Sequence, residues 1–398
     1  MKLAKTYDEI RPLIHLCRTG RLFDVQEWIF QGKPINLPPP EPRKASKKSP
    51  LKLFIELGFH SLVQVLLEGG APVEEPRYSP LQHALEKRRL DIIELLVAHG
   101  ADIHTIETSE VFETWSNDIV EYFLKRGADV DTGNPLAYAL CSKIRPALGL
   151  YMRYRESYVS FKNQINIALR YHCVEGNMKW ISLLLWAGAD PHEIGTYTPD
   201  DSLDPEEHDC ALGFAAQYGH FDVFKLKSIS LDLNHVSTYQ ILVNACRRGR
   251  TDILKMFFDK GLDPASLEDK GSSLIQALLM SMSWNYDDYT LLRDDKNIDR
   301  SLSREKMKIL HILARKGARW EPENEWDIKY TRQSLLRMSS DYVMEFIWIM
   351  AEYRACEYDV VKELMRTPSM RSLVARNSCR YRELMAHPTK AYLDSCRA

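Results

Sequence analysis

An all-α chain built from repeated helix–turn–helix units is the fold class that this sequence predicts. Three observations predict it: glycines recur at a fixed interval, a short apolar helix precedes each second glycine, and Ser-Pro-Leu marks the start of an earlier helix. Gly20 and Gly32 are 12 residues apart, and so are Gly58 and Gly70, Gly176 and Gly188, and Gly249 and Gly261. Gly100, Gly127 and Gly317 follow an apolar helix as the second member of each pair does, and Gly219 stands like a first member. Twelve of the 18 glycines therefore occupy two positions of one unit. Both are places where the chain needs a positive φ, at a tight turn or just past a helix end.

The first helix of the unit opens on Ser49-Pro50-Leu51 in one copy and Ser79-Pro80-Leu81 in the next. Each is an N-cap serine followed by proline at the first helical position. Leu81, Ala84 and Leu85 give this helix a narrow apolar face with a small residue in it. A turn follows, with glycine in most copies and Arg88 in one. The second helix is exemplified by residues 90–99, whose period predicts a buried stripe of Leu90, Ile93, Leu96 and Val97. Asp91, Asp118, Asp222 and Asp252 fall in its first turn, where the helix dipole favours negative charge. A glycine then stops the helix and a short extended loop leads on. Neither helix buries its neighbours alone, so the units must stack. Cys141, Cys173, Cys210 and Cys246, spaced by 32, 37 and 36 residues, read as one small buried position recurring along the stack.

At these residues a family likeness becomes visible. Ser79-Pro80-Leu81-Gln82-His83-Ala84 resembles the ankyrin opening T-P-L-H-x-A. Gly100-Ala101-Asp102-Ile103, Gly127-Ala128-Asp129-Val130 and Gly188-Ala189-Asp190-Pro191 resemble its closing G-A-D-V. Gly219-His220-Phe221-Asp222-Val223 resembles the G-H-L-E-V turn between the helices. Units in this phase run at about 10–36, 49–75, 79–104, 109–131, 134–160, 165–192, 210–234, 240–266 and 272–320. Some depart from the pattern: 109–131 lacks the opening, 134–160 lacks both glycines, and 210–234 ends in Lys227-Ser228-Ile229-Ser230. The resemblance implies an ankyrin-repeat solenoid whose first helices and loops line a concave side that takes a protein partner.

The expected organisation is an ankyrin array over 1–320 and a helical C-terminal cap with a basic tail over 321–398. Three insertions interrupt the array, at about 37–49, 193–209 and 284–303. The first combines Pro38-Pro39-Pro40 with Arg43, Lys44, Lys47 and Lys48 and reads as an extended tether. The second carries Asp200, Asp201, Asp204, Glu206, Glu207 and Asp209 without a Lys or Arg. It lacks the glycine and spacing of an EF-hand and reads as a solvated acidic loop. The third, between helices expected at Ser272–Ser283 and Arg304–Lys316, carries Trp284, Tyr286 and Tyr289. Such aromatics either form an interface hot spot or fold back onto the array.

Apolar residues are 45% of the chain and the net charge is −2, so no global field selects nucleic acid or membrane surfaces. The densest apolar stretch, Val343–Ala351, is too short to span a bilayer. No h-region of a secretory signal is apparent and no C-x-x-C pair occurs, which points to the cytoplasm. G-x-G, G-K-[ST], H-E-x-x-H and G-x-S-x-G are all absent. Of the histidines, His83 and His99 fall at solvent-facing helical phases. The expectation is a non-enzymatic scaffold or regulatory subunit without catalytic residues, cofactor or metal. Its partner would be a protein, with an acidic surface where it meets the cationic turns. The partner-binding residues expected are Arg88, Arg89, Arg247, Arg248 and Arg250 in those turns, with Trp284, Tyr286 and Tyr289 in the third insertion. The rival reading is nucleic-acid association through the Lys-rich insertion and the basic tail, where Lys362–Ala398 has eight Lys/Arg against three Asp/Glu.

Overall fold

Glycine conformation fixes the repeat. In the computed structural model, which describes residues 3–38, 48–75, 78–283, 296–322, 324–337 and 340–376, all twelve glycines of the pattern have positive φ, from 67° at Gly20 to 101° at Gly188. At the first turn the Gly58 N–H donates to Ile55 O and the Phe59 N–H to Phe54 O, each at 3.1 Å, which satisfies carbonyls at the helix end. Arg88, Trp115 and Lys143 adopt the same conformation without being glycine, at φ of 53°, 59° and 64°. The Arg88 and Arg89 amides bond to Leu85 O and Ala84 O as their glycine counterparts do.

The described helices form pairs in chain order. They are α1 (Tyr7–Thr19) with α2 (Leu22–Phe30), α3 (Pro50–Leu57) with α4 (His60–Glu68), and α5 (Pro80–Glu86) with α6 (Leu90–Ala98). Next come α7 (Thr108–Glu113) with α8 (Asn117–Leu124), α9 (Pro135–Cys141) with α10 (Arg145–Tyr154), and α11 (Ser160–Glu175) with α12 (Met178–Ala187). Then α13 (Ala211–Tyr218) precedes a 3-10 turn at Phe221–Lys225, and α14 (Val236–Arg247) pairs with α15 (Thr251–Asp259). Last are α16 (Glu268–Ser283) with α17 (Lys296–Arg315), α18 (Glu325–Arg337) with α19 (Ser340–Glu352), and α20 (Tyr358–Leu364) with α21 (Pro368–Arg376). Among the described residues the loops form isolated bridges, such as Glu75 with Tyr78, and no strand. The architecture is all-α.

The chain divides into two compact units, Met1–Ile165 and Asn166–Ala398. In the first, α1, α3 and α5 pack side by side, as do α2, α4 and α6, with α7 on α9 and α8 on α10. In the second, α13, α14, α16, α18 and α20 form one row and α15, α17, α19 and α21 another. The expected N-caps are present: Ser49 Oγ accepts from Lys52 N–H and Ser79 Oγ from Gln82 N–H, both at 3.1 Å. At α9 a neighbour supplies the missing cap. Asn134 gives α9 no side-chain cap, and Gln164 Oε1 accepts from Leu136 N–H at 2.8 Å and Ala137 N–H at 3.3 Å instead. Gln164 Nε2 donates back to Val130 O at 2.6 Å, so a fully buried amide ties a helix start to a loop.

Several expectations change on contact with the structure. In α6 the buried residues are Ile92, Ile93 and Leu96, while Leu90 and Val97 are half-buried, because the inner face meets both α5 and α4. His83 is largely covered, lying edge-on to Tyr78 with ring centroids 5.6 Å apart. The second helix after α13 shortens to a 3-10 turn. Helix α17 starts at Lys296, ahead of the expected Arg304, so part of the third insertion is helix. Asp209, counted in the acidic loop, is buried: it accepts from Cys210 N–H at 2.7 Å and from the Asn244 side chain. Past Trp320 the turn geometry of the repeats recurs, with Arg354 at φ 51° and Ala355 N–H donating to Met350 O.

Candidate functional site

In three repeats the residue just ahead of the second helix reaches back over the turn of the preceding repeat. Arg89 Nη1 donates to Gly58 O at 2.9 Å, while Nε and Nη2 grip Asp91 at 2.9 and 2.7 Å. His220 lies over Gly176 and its Nε2 meets Val174 O at 3.0 Å, and Arg250 lies over Gly219. A Cβ on Gly58, Gly176 or Gly219 would stand 2.2–2.4 Å from the covering side chain. Glycine thus serves two ends here, a positive φ and room for the next repeat's side chain.

These contacts sort the expected cations. Arg89 and Arg250 are half-buried braces between neighbouring repeats. Arg248 is half-buried too, whereas Arg88 and Arg247 are exposed. Arg88 and Arg89 sit in the first unit and Arg247, Arg248 and Arg250 in the second. Trp284, Tyr286 and Tyr289 lie outside the described residues.

A cleft that no motif announced lies in the first unit. It has a volume of about 410 Å³ and is lined by Glu74, Glu75, Tyr78, Ser79, Gln82 and Thr105. Two successive loops and the first helix between them therefore build one site. Ser49 Oγ donates to Glu75 Oε1 at 2.6 Å, and Lys52 Nζ stands 4.2 Å above the Tyr78 ring. Gln82 Nε2 donates to Glu110 Oε2 at 3.3 Å. The Tyr78 hydroxyl is buried and has no hydrogen-bond partner among the described residues.

Carboxylates crowd this place, with Lys48 and Lys52 set among them. Burial pushes the Glu75 carboxyl above its ordinary range. Burial, joined by the neighbouring Glu107, Glu113 and Glu86, does the same to Glu110. The hydrogen bond from Lys48 holds Glu56 below its range. The cleft offers carboxylate and polar acceptors, while Lys52 covers the Tyr78 face and the Tyr78 hydroxyl is enclosed. Its sequence trace is faint. Lys52 and Gln82 hold the same phase after their capping serines, but Glu74, Glu75 and Tyr78 are loop residues whose convergence depends on stacking.

The other chemistry-bearing side chains are drawn into packing. Cys17, Cys210 and Cys356 are buried and their thiols are pushed up to about 12 by burial, and burial raises Cys173 and Cys246 as well. In the second unit, buried Arg170 donates through Nε to Thr196 O at 2.6 Å and through Nη1 to Glu193 O at 3.0 Å, holding the base of the acidic loop. His192 and His235 share the Ser237 hydroxyl, at 2.9 and 2.8 Å from their Nδ1 atoms. Among the described residues no group of three or more His, Cys, Asp or Glu is arranged to hold a metal ion, and no helix is long and apolar enough to cross a membrane.

Residues 13–107 match the family profile described as ankyrin repeats (3 copies). A stretch of 155 residues, 36% of the chain, is 27% identical to the ankyrin repeat and KH domain-containing protein mask-1 of Caenorhabditis elegans. A stretch of 45 residues, 10% of the chain, is 56% identical to the 2-5A-dependent ribonuclease of Homo sapiens. The matched segments span 6% of the length of each of these relatives.

Proposed function

Because the chain is an ankyrin-repeat protein, and ankyrin repeats form protein–protein interaction domains, we propose that it works as a non-enzymatic scaffold or regulatory subunit. The partner is held on the side built by the first helices and loops of a unit, and acidic groups of that partner engage the exposed turn cation there, Arg88 in the first unit or, separately, Arg247 in the second. The observation that carries this reading is the polar cleft over the loops and α5, lined by the carboxyl, hydroxyl and amide side chains of Glu74, Glu75, Ser79, Gln82 and Thr105. The buried cysteines, with thiols raised by burial, support the same view and suit the reducing cytoplasm, where we place the protein. The helices beyond Trp320 we assign to a closing cap over 321–398; α18 and α19 pack on α16 and α17.

Nucleic-acid association would rest on the Lys-rich insertion and the basic tail. Residues 39–47, with three of the insertion's four cations, and 377–398, with four of the tail's eight, lie outside the described residues. The test is hydrogen–deuterium exchange of the full chain with and without its co-purifying protein. Protection is expected in the loops at 71–79 and 101–107. Protection confined to other segments, or turnover of RNA by the purified chain, would overturn the proposal.

A further inference from the structure

We infer that the turn rim of the first unit, at Arg88, Trp115 and Lys143, docks an extended segment of a partner protein that carries an apolar residue between two carboxylates. The inference rests on the reading of Arg88 as a place where acidic groups of a partner engage, and adds the chemistry of the segment that meets it. Three successive repeats put a non-glycine residue in the left-handed turn between their helices, at φ of 53°, 59° and 64°. The corresponding turns at Gly20, Gly58, Gly176, Gly219 and Gly249 use glycine, which reaches that conformation without steric cost. The backbone therefore does not select arginine, tryptophan or lysine, and a residue kept there against local preference points to what its side chain does. At Gly58, Gly176 and Gly219 a side chain of the next repeat covers the turn. At Arg88 and Trp115 the covering positions hold Ser116, whose side chain is short, and Ile144, which is buried, and both turn side chains stay exposed.

The three side chains make one edge. The Gln82–Glu110 bond ties α5 to α7, and α7 packs on α9, so their turns are neighbours. Trp115 is 57% exposed, and its indole makes no ring contact or hydrogen bond among the described residues. Tryptophan and arginine are among the residue types most enriched in interface hot spots. Arg88 is exposed, and its guanidinium has no ion pair or hydrogen bond among the described residues. Lys143 is exposed on the other flank of Trp115. Packed helices lie about 8–10 Å apart and an extended chain advances about 3.3 Å per residue, so each carboxylate stands about three residues from the apolar anchor. Glu113 and Asp118 are exposed close to Trp115 in the chain. They interrupt the positive field and repel a continuous row of phosphates, whereas two separate carboxylates can meet Arg88 and Lys143 alone. This mosaic selects a peptide over single-stranded nucleic acid, which needs a cationic track along its backbone.

The experiment measures fluorescence anisotropy of a labelled Glu-Ser-Thr-Phe-Ser-Thr-Glu peptide on the full chain. Beside it run the same peptide with glutamine for glutamate and an oligodeoxythymidylate strand. The glutamate peptide is expected to bind about fivefold more tightly than the glutamine peptide, with the gap closing in about 1 M salt. Trp115→Gly is expected to weaken its binding about tenfold and Arg88→Gly about threefold. Glycine suits a left-handed turn, so both variants keep the fold, which circular dichroism checks. Trp186→Ala, which removes an exposed tryptophan of the second unit, leaves binding unaltered. Equal binding of the two peptides, or unaltered binding in Trp115→Gly, overturns the assignment. So does tighter binding of the oligodeoxythymidylate that is lost in Trp115→Gly, which would hand the rim to nucleic acid. Weakening in both glycine variants without loop protection by the co-purifying protein would sustain the rim and refute the side built by first helices and loops. Loop protection with unaltered peptide binding in both variants would sustain that side and overturn the rim.

Discussion

Replacing Gly58 by alanine should destabilise the first unit by about 3 kcal/mol, and the structure divides that figure into two parts. Gly58 has φ +71°, and placing an L-residue in the left-handed region costs about 1–2 kcal/mol. The new Cβ would stand 2.2 Å from Arg89 Nη1, so the guanidinium must leave Gly58 O. A hydrogen bond to a charged group contributes about 1.5–3 kcal/mol. The lower end applies, since the Arg89 side chain is 35% exposed. Gly70 is the control: its φ is +91° and nothing lies within 4 Å of an added Cβ, so alanine there should cost about 1–2 kcal/mol. In an Arg89→Ala background Gly58→Ala should fall to the Gly70 value, leaving a coupling of about 1.5 kcal/mol between the two sites. Native-state hydrogen exchange of the α3 and α4 amides reads these differences locally. If Gly58→Ala costs the same with and without Arg89, the turn is only a backbone requirement and Arg89 does not brace it.

Gln164→Ala strands two N–H groups at the start of α9 and the Val130 carbonyl, and should destabilise by about 3 kcal/mol in urea unfolding; a loss below about 1 kcal/mol would show that water replaces the amide. Arg88→Gly relieves a left-handed L-residue at an exposed turn and should stabilise by about 0.5–1 kcal/mol, read as a higher melting temperature, with a decrease counting against strain at that turn. Burial raises the Asp209 carboxyl above its unfolded value, so the folded chain keeps a proton that the unfolded chain has lost. That contribution is full below the unfolded pKa of about 3.9 and fades as pH rises through the folded value. Asp209→Asn should flatten this part of the curve of urea midpoint against pH, and an unchanged curve would show that Asp209 stays ionised in the fold.

The repeat is legible in the sequence alone, because that information is local. A positive φ at a helix end, a serine one residue before Pro-Leu, and an apolar face of helical period each follow from a few neighbouring residues, and their recurrence sets the all-α stack. The αL turns at Gly20, Gly58 and Gly219 and the caps at Ser49 and Ser79 stand where that reasoning puts them. Where local rules met a neighbour, they gave way. Ile92 replaced Leu90 and Val97 in the buried stripe because α6 faces two helices at once. His83 turned inward onto Tyr78, and Asp209 left the acidic loop for a buried bond with Asn244.

Which polar groups converge follows from how the repeats pack. Arg89 and Arg250 look like free cations in the chain, yet each reaches back to a turn about thirty residues earlier, where the missing Cβ leaves room. The cleft joins Glu74, Glu75 and Tyr78 of one loop, Gln82 of a helix and Thr105 of the next loop. No short-range pattern encodes that meeting. It arises because stacking sets successive loops side by side, and side-chain chemistry at a site depends on distance in space, which sequence spacing specifies only within a helix or a turn.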